Sequence, residues 1–211
     1  MASIALAYHL ASRLVYVCYI GLALRRQERT AYLTRRYGVE RGFRRFRRVA
    51  AMVMYNDAVS FVLLCLVSRG TLSLGLPRGA LIAAGALFVL VGLATKLWAV
   101  ATLGGGAYYW RNFFAPEGRA PSTAGPYRFL RNPMYTVGYL QTYGLALATG
   151  SLFGLVAALF DQAAILAFCE RVETPHLEKH AGAPSQSAPV FLDSGGGTAQ
   201  NEGSPSWSNL S

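Results

Sequence analysis

The sequence predicts an all-α polytopic membrane protein of about five transmembrane helices, and three observations predict it. Hydrophobic residues make up 53% of the 211 and charged residues only 14%, against roughly 25% charged in soluble domains. The apolar residues fall in blocks close to the roughly 20 residues that cross a bilayer. The basic residues, with a net charge of +10, cluster beside those blocks. That placement marks a membrane face, and no aromatic-rich nucleic-acid motif accompanies it.

The first apolar segment covers residues 3–24 and contains His9 and Arg13. No basic stretch precedes it, which favours a transmembrane helix over a signal peptide. The second covers 49–68 and carries Asn56 and Asp57; the third covers 79–103, with Lys96 near its end. Residues 133–169 form one long apolar run, broken by Thr149-Gly150-Ser151. The break predicts a C-terminal helical hairpin with arms of about 18 residues. Cys18, Cys65 and Cys169 all lie in apolar segments, an odd count without metal-ligand spacing, so neither a disulfide framework nor a metal site is expected. Residues 1–180 read as one membrane domain, and 181–211, rich in Gly, Ser and Pro, as a disordered tail.

The loops predict the orientation. Residues 25–48 hold ten arginines, 69–78 hold Arg69 and Arg78, and 104–132 hold Arg111, Arg119, Arg128 and Arg131. Arg171 and Lys179 follow the last span. With five spans, sixteen basic residues share one side and two lie on the other. The positive-inside rule then puts the N-terminus outside and the C-terminus in the cytoplasm. The arginine segment 25–48 also suits anionic lipid headgroups.

Charges in a bilayer core are costly unless paired or functional. Arg13 lies 11 residues before the cytoplasmic end of the first span, and Asp57 and Asp161 lie 8 residues from that side in theirs. All three then sit roughly 12–17 Å deep, and Arg13 is expected to pair with Asp57 or Asp161. Lys96 is expected to snorkel to the cytoplasmic interface.

Three stretches carry the chemistry. The first is Gly104-Gly105-Gly106-Ala107-Tyr108-Tyr109-Trp110-Arg111, where glycines admit close approach to the backbone. Its aromatic rings suit stacking on a base, facing a cation, or anchoring at a membrane interface. The second is Gly125-Pro126-Tyr127-Arg128-Phe129-Leu130-Arg131-Asn132-Pro133-Met134-Tyr135. Pro133 is expected to open the fourth helix, with Asn132 near its N-cap. The third is Glu170-Arg171-Val172-Glu173-Thr174-Pro175-His176-Leu177-Glu178, with His176 read as a solvated interfacial residue. Asn132 and Glu173 offer polar anchors for an amino group or a ribose.

The order of these stretches around a helical hairpin resembles the integral-membrane methyltransferase superfamily. That superfamily includes isoprenylcysteine carboxyl methyltransferases and phospholipid N-methyltransferases. The resemblance is strongest over residues 95–180 and implies a cytoplasmic pocket for S-adenosyl-L-methionine. It assigns donor binding to Gly104, Gly106, Tyr127, Asn132, Pro133, Tyr135 and Glu173, and catalysis to Glu173, Arg131 and Asn132. Asn132 stands where the carboxyl-methylating branch has histidine, and Asn-Pro-Met-Tyr looks like the phospholipid branch. Thr174 stands where the family has a second glutamate, and no tyrosine follows Tyr143.

The implied substrate is a membrane lipid or lipidated acceptor. A carboxylate acceptor needs a positive clamp, for which Arg111, Arg128 or Arg131 would serve. An amine must first lose a proton, with Glu173, Glu170 or the remoter Asp161 as acceptor. Two other classes stay open: a non-catalytic scaffold of the same fold, and a small transporter with Arg13, Asp57 and Asp161 along its path.

Overall fold

A computed structural model of the chain describes residues 1–115, 122 and 124–180. The 181–211 segment, expected to be disordered, and Arg119 of the 104–132 segment lie outside the described residues. Among the described residues every regular element is helical. In order they are α1 (Ala2–Thr30), α2 (Tyr32–Tyr37), α3 (Val39–Val67), α4 (Arg78–Leu103), α5 (Gly105–Tyr108), α6 (Leu140–Thr149), α7 (Leu152–Phe168) and α8 (Thr174–His180). A π-helical turn over Cys169–Glu173 joins α7 to α8 into one rod.

Four rods are long and apolar enough to cross a membrane: Ala2–Thr30, Val39–Val67, Arg78–Leu103 and Leu152–His180. Their outward faces are apolar, as Leu87, Leu90, Leu97 and Trp98 on α4 illustrate, all more than half exposed. Such a surface belongs in lipid. The chain is an all-α polytopic membrane protein.

Two expectations need correction. The 25–48 segment is not an open loop but helix almost throughout, because α1 and α3 extend into it. In α3, Phe43, Phe46 and Ala50 recur on one face and are buried, while Arg41, Arg44, Arg45, Arg47 and Arg48 stay exposed. That is an amphipathic period, which a hydropathy window overlooks. The first hairpin arm is likewise not a span of about 18 residues: α6 has ten. Pro133 does not open it, and Asn132 does not cap it. The Asn132 carbonyl accepts from the amides of Tyr135 (3.1 Å) and Thr136 (3.0 Å), and the Pro133 carbonyl from Gly138 (2.8 Å). Thr136, at φ −105° and ψ −93°, then breaks helical geometry before a short 3-10 turn over Val137–Tyr139.

The break between α6 and α7 falls where the sequence places it. Gly150 is left-handed (φ 65°) and Ser151 caps α7 by accepting from the Gly154 amide at 2.8 Å. Left-handed backbone at a helix end suits glycine. Ser151 also meets the hydroxyl of Ser68 at 2.6 Å, and the Gly150 carbonyl accepts from Leu72 at 2.9 Å. This end of the bundle is therefore tied across α3, α6 and α7.

The pairing of α4 with α6 depends on glycine. A Cβ at Gly144 would lie 2.5 Å from the Gly85 carbonyl oxygen, and one at Gly85 would lie 2.5 Å from that of Gly144. Backbones this close leave no room for a methyl group, and small residues are the usual device for close helix packing in membranes. Gly144→Ala is expected to push the helices apart and cost about 1–3 kcal/mol, the usual range for overpacking. A lowered unfolding temperature in detergent, read by circular dichroism, checks this; an unchanged temperature contradicts it.

Candidate functional site

The helix ends opposite that tie surround a cavity of about 1260 Å³. Its mouth is built by the chain between α4 and α6 and by the α7–α8 rod. Gly104 ends α4 in a conformation with φ 82°, which turns the chain into α5. Trp110 follows with φ 57°, a left-handed conformation that non-glycine residues rarely hold. Surrounding packing must impose it. The indole meets Phe46 and Phe168 edge-on, at ring-centroid distances of 6.4 and 5.6 Å. So Trp110 is core, whereas Tyr108 and Tyr109 are half-buried and line the cavity.

Glu173 is the polar centre of the mouth. One carboxylate oxygen, Oε1, accepts from both the Trp110 indole N–H and the Tyr135 hydroxyl, the latter at 2.7 Å. Two donors on one oxygen fix the side chain in place. Tyr127 also lines the cavity, and its buried hydroxyl has no partner among the described residues. Burial, and then the nearby Glu173 charge, push that hydroxyl up to about 12. It therefore stays protonated and available to donate through the neutral range.

The residues expected at the site divide. Gly106, Tyr127, Arg131, Asn132, Tyr135 and Glu173 all line the cavity. Gly104 and Pro133 do not: Gly104 only caps α4, and Pro133 is fully buried in the turn behind the wall. Arg131 sits at the rim, its side chain 79% exposed and 4.0 Å from Glu178. Arg111 is engaged by Glu40 at 2.6 Å, and Arg128 is exposed away from the cavity.

His176, expected to be solvated, is buried instead. It stacks on Phe113 with ring centroids 3.6 Å apart, and its nitrogens meet Glu28 Oε1 (3.2 Å) and the Asn112 carbonyl (3.3 Å). Among the described residues Glu28, His176 and His180 bring three possible metal-ligand atoms within 4.8 Å.

The cavity continues between the helices to the expected charge cluster. Arg13 Nη2 lies 2.7 Å from Asp57 and 2.9 Å from Asp161, so the guanidinium bridges both carboxylates rather than choosing one. Its Nη1 donates to the Tyr139 hydroxyl at 3.3 Å. His9, read only as a blemish in the first span, completes the set. Its Nε2 is 3.1 Å from Asp161, and its Nδ1 is 2.8 Å from Ser60. Lys96 does not snorkel outward. Its ammonium lies 5.0 Å from the Tyr139 ring centroid, and Lys96 lines the cavity.

The fold and cavity define an integral-membrane helical bundle with a deep polar site open at one end. Residues 80–183, just under half of the chain, match the phospholipid methyltransferase family model, which supports placing the chain in the integral-membrane phospholipid methyltransferase superfamily. It is 32% identical to a phosphatidylethanolamine N-methyltransferase of Aspergillus clavatus over 144 residues, 66% of this chain and 14% of that protein. It is 32% identical over 155 residues to one of Paracoccidioides brasiliensis (70% and 15%) and 33% identical over 144 residues to one of Coccidioides posadasii (66% and 15%). The chain thus spans about 14–15% of the length of these relatives. No solved structure matches the chain.

Proposed function

We propose that the chain is a methyltransferase that uses S-adenosyl-L-methionine to methylate the amine of a membrane phospholipid. One observation carries the reading: a single cavity joins the motif residues Tyr127, Asn132, Tyr135 and Glu173 at its mouth to buried charges between the helices. A soluble donor has access at the mouth, and a lipid headgroup has charged partners deeper in.

The residues fit the donor. Tyr127 presents a buried hydroxyl with no partner among the described residues, and Glu173 a carboxylate held in place by two donors. Tyr108 and Tyr109 offer aromatic faces for a base or a cationic centre. When bound, the donor supplies an electrophilic methyl group on a sulfonium. Glu173, Asn132 and Tyr127 would hold its polar groups, and Gly106 would let it approach the backbone. Arg131 at the rim would meet its carboxylate. Fixing both reactants in one cavity supplies much of the rate enhancement.

The acceptor reading favours an amine. A primary ammonium must lose a proton before its nitrogen becomes a nucleophile. The cavity offers carboxylates for this at Glu173 and Asp57, whereas both oxygens of Asp161 are engaged by His9 and Arg13. Of the three arginines that could clamp a carboxylate acceptor, Arg128 is exposed away from the cavity, Arg111 is engaged by Glu40 and Arg131 at the rim is assigned to the donor's carboxylate. The names of the relatives point the same way. The arginine-rich face of α3 supports anionic lipid binding, and the loop charges support a cytoplasmic C-terminus with the N-terminus outside.

The test is methyl transfer in reconstituted vesicles of phosphatidylethanolamine, with donor labelled on its methyl group. Label is expected in the extracted phospholipid. Folded protein that leaves the lipid unlabelled would overturn the reading. A second expectation concerns Tyr127→Phe. The lost hydroxyl has no partner among the described residues, so the unfolding temperature should not change. Donor affinity should fall about two- to tenfold, the equivalent of one neutral hydrogen bond. Unchanged donor affinity would remove Tyr127 from the donor site.

A further inference from the structure

We propose that the buried end of the cavity is the headgroup subsite, in which Asp57 receives the ammonium and Lys96 the phosphate of a zwitterionic lipid. This rests on the methyltransferase reading and adds residues that set acceptor specificity. Arg13 and Asp57 lie on helices that precede the matched family region.

The two carboxylates of the cluster are not equivalent. Asp161 is fully buried, with one oxygen near His9 and the other near both His9 and Arg13. Its capacity is used inside the protein. Asp57 is only 4% exposed and engages Arg13 through Oδ2 alone. Its other oxygen, Oδ1, is buried without a hydrogen-bond partner among the described residues, and Asp57 lines the cavity. A buried, charged, unpartnered oxygen is costly unless something else satisfies it. A cationic group in the cavity does so.

A second charge, that of Lys96, of opposite sign and without an ion-pair partner among the described residues, lines the same cavity. Tyr139 and Arg13 connect the two: the Tyr139 hydroxyl accepts from Arg13, the partner of Asp57, and its ring faces the Lys96 ammonium. One free carboxylate oxygen and one free ammonium among the described residues, linked through Tyr139 and Arg13, complement a headgroup that carries an amine and a phosphate on a short linker. A prenylated carboxylate would place like charge against Asp57. A headgroup without an amine would leave Oδ1 unsatisfied.

The experiment measures equilibrium binding of acyl-labelled lipids to the detergent-purified full chain, beside its affinity for S-adenosylmethionine. The probes are phosphatidylethanolamine, its N-acetylated form, which lacks the charge, and phosphatidylglycerol. Wild type is expected to bind phosphatidylethanolamine at least tenfold tighter than either of the two lipids that lack an ammonium and carry only the phosphate charge. Asp57→Asn should erase that preference while leaving donor affinity unchanged. Lys96→Met should weaken all three lipids alike. If wild type shows no headgroup preference, or Asp57→Asn retains it, the subsite is overturned, while donor binding would leave the methyltransferase reading in place. Headgroup preference without donor binding would sustain the subsite and overturn the methyltransferase reading. Should Asp57→Asn not fold, wild-type discrimination and Lys96→Met decide: no preference, or an unchanged affinity in Lys96→Met, overturns the proposal.

Discussion

Glu173→Ala is expected to weaken donor binding roughly ten- to hundredfold and to reduce methyl transfer in proportion at low donor concentration. The magnitude is that of a lost charge-assisted hydrogen bond, about 1.5–3 kcal/mol. The substitution also removes the shared acceptor of the Trp110 indole and the Tyr135 hydroxyl. Two buried donors are then left unsatisfied, so some stability is lost as well. Glu173→Gln separates the effects. Its amide oxygen still accepts both bonds and its volume is nearly the same, so the fold should hold while the charge is gone. Donor affinity measured by calorimetry, beside unfolding temperature by circular dichroism, gives the answer. Wild-type affinity in a folded Glu173→Gln protein would show that the carboxylate charge plays no part in binding.

The second large effect concerns the core of the bundle. Arg13→Ala leaves Asp57 and Asp161 buried without the guanidinium that bridges them. Removing one partner of a buried ion pair costs about 3–5 kcal/mol, mostly because the remaining charge is uncompensated. Here one cation serves two carboxylates that are 4% and 0% exposed, so the upper part of that range is expected. Arg13→Ala combined with Asp57→Ala should recover part of the loss, because one orphan charge is removed with the cation. Arg13→Lys should recover less than wild type, since an ammonium lacks the planar fork that reaches Asp57, Asp161 and Tyr139 together. Thermal unfolding in detergent across this set is the check. Additive losses in the double variant would mean that the cluster is not energetically coupled.

The features legible in the sequence were those governed by hydropathy and depth. The third span and the break at Thr149-Gly150-Ser151 follow directly from an apolar run and turn chemistry. The Arg13 cluster follows from counting residues inward from basic loops, although the count left open which carboxylate pairs, and the structure uses both. Helix ends were less legible. Hydropathy marks where a helix meets lipid and says little about where it stops, so the extensions of α1 and α3 escaped. The Phe43, Phe46, Ala50 period was the available signal. Asn132-Pro133 resembled a helix start, yet the chain turns there to carry Tyr135 to Glu173. The partner choices of His9, Lys96 and His176 depend on tertiary neighbours far apart in sequence. Composition gives no access to them.

The motif residues around Glu173 are proposed to form the donor site. Calorimetric titration of the detergent-purified chain with S-adenosyl-L-methionine tests this most directly, with Tyr135→Ala beside wild type. Tyr135 donates to Glu173 at 2.7 Å and lines the cavity, so its removal should loosen the carboxylate and open the wall. Saturable binding of about one donor per chain in wild type, lost or strongly weakened in Tyr135→Ala, is the predicted result. A folded wild-type protein that gives no saturable heat would contradict the account.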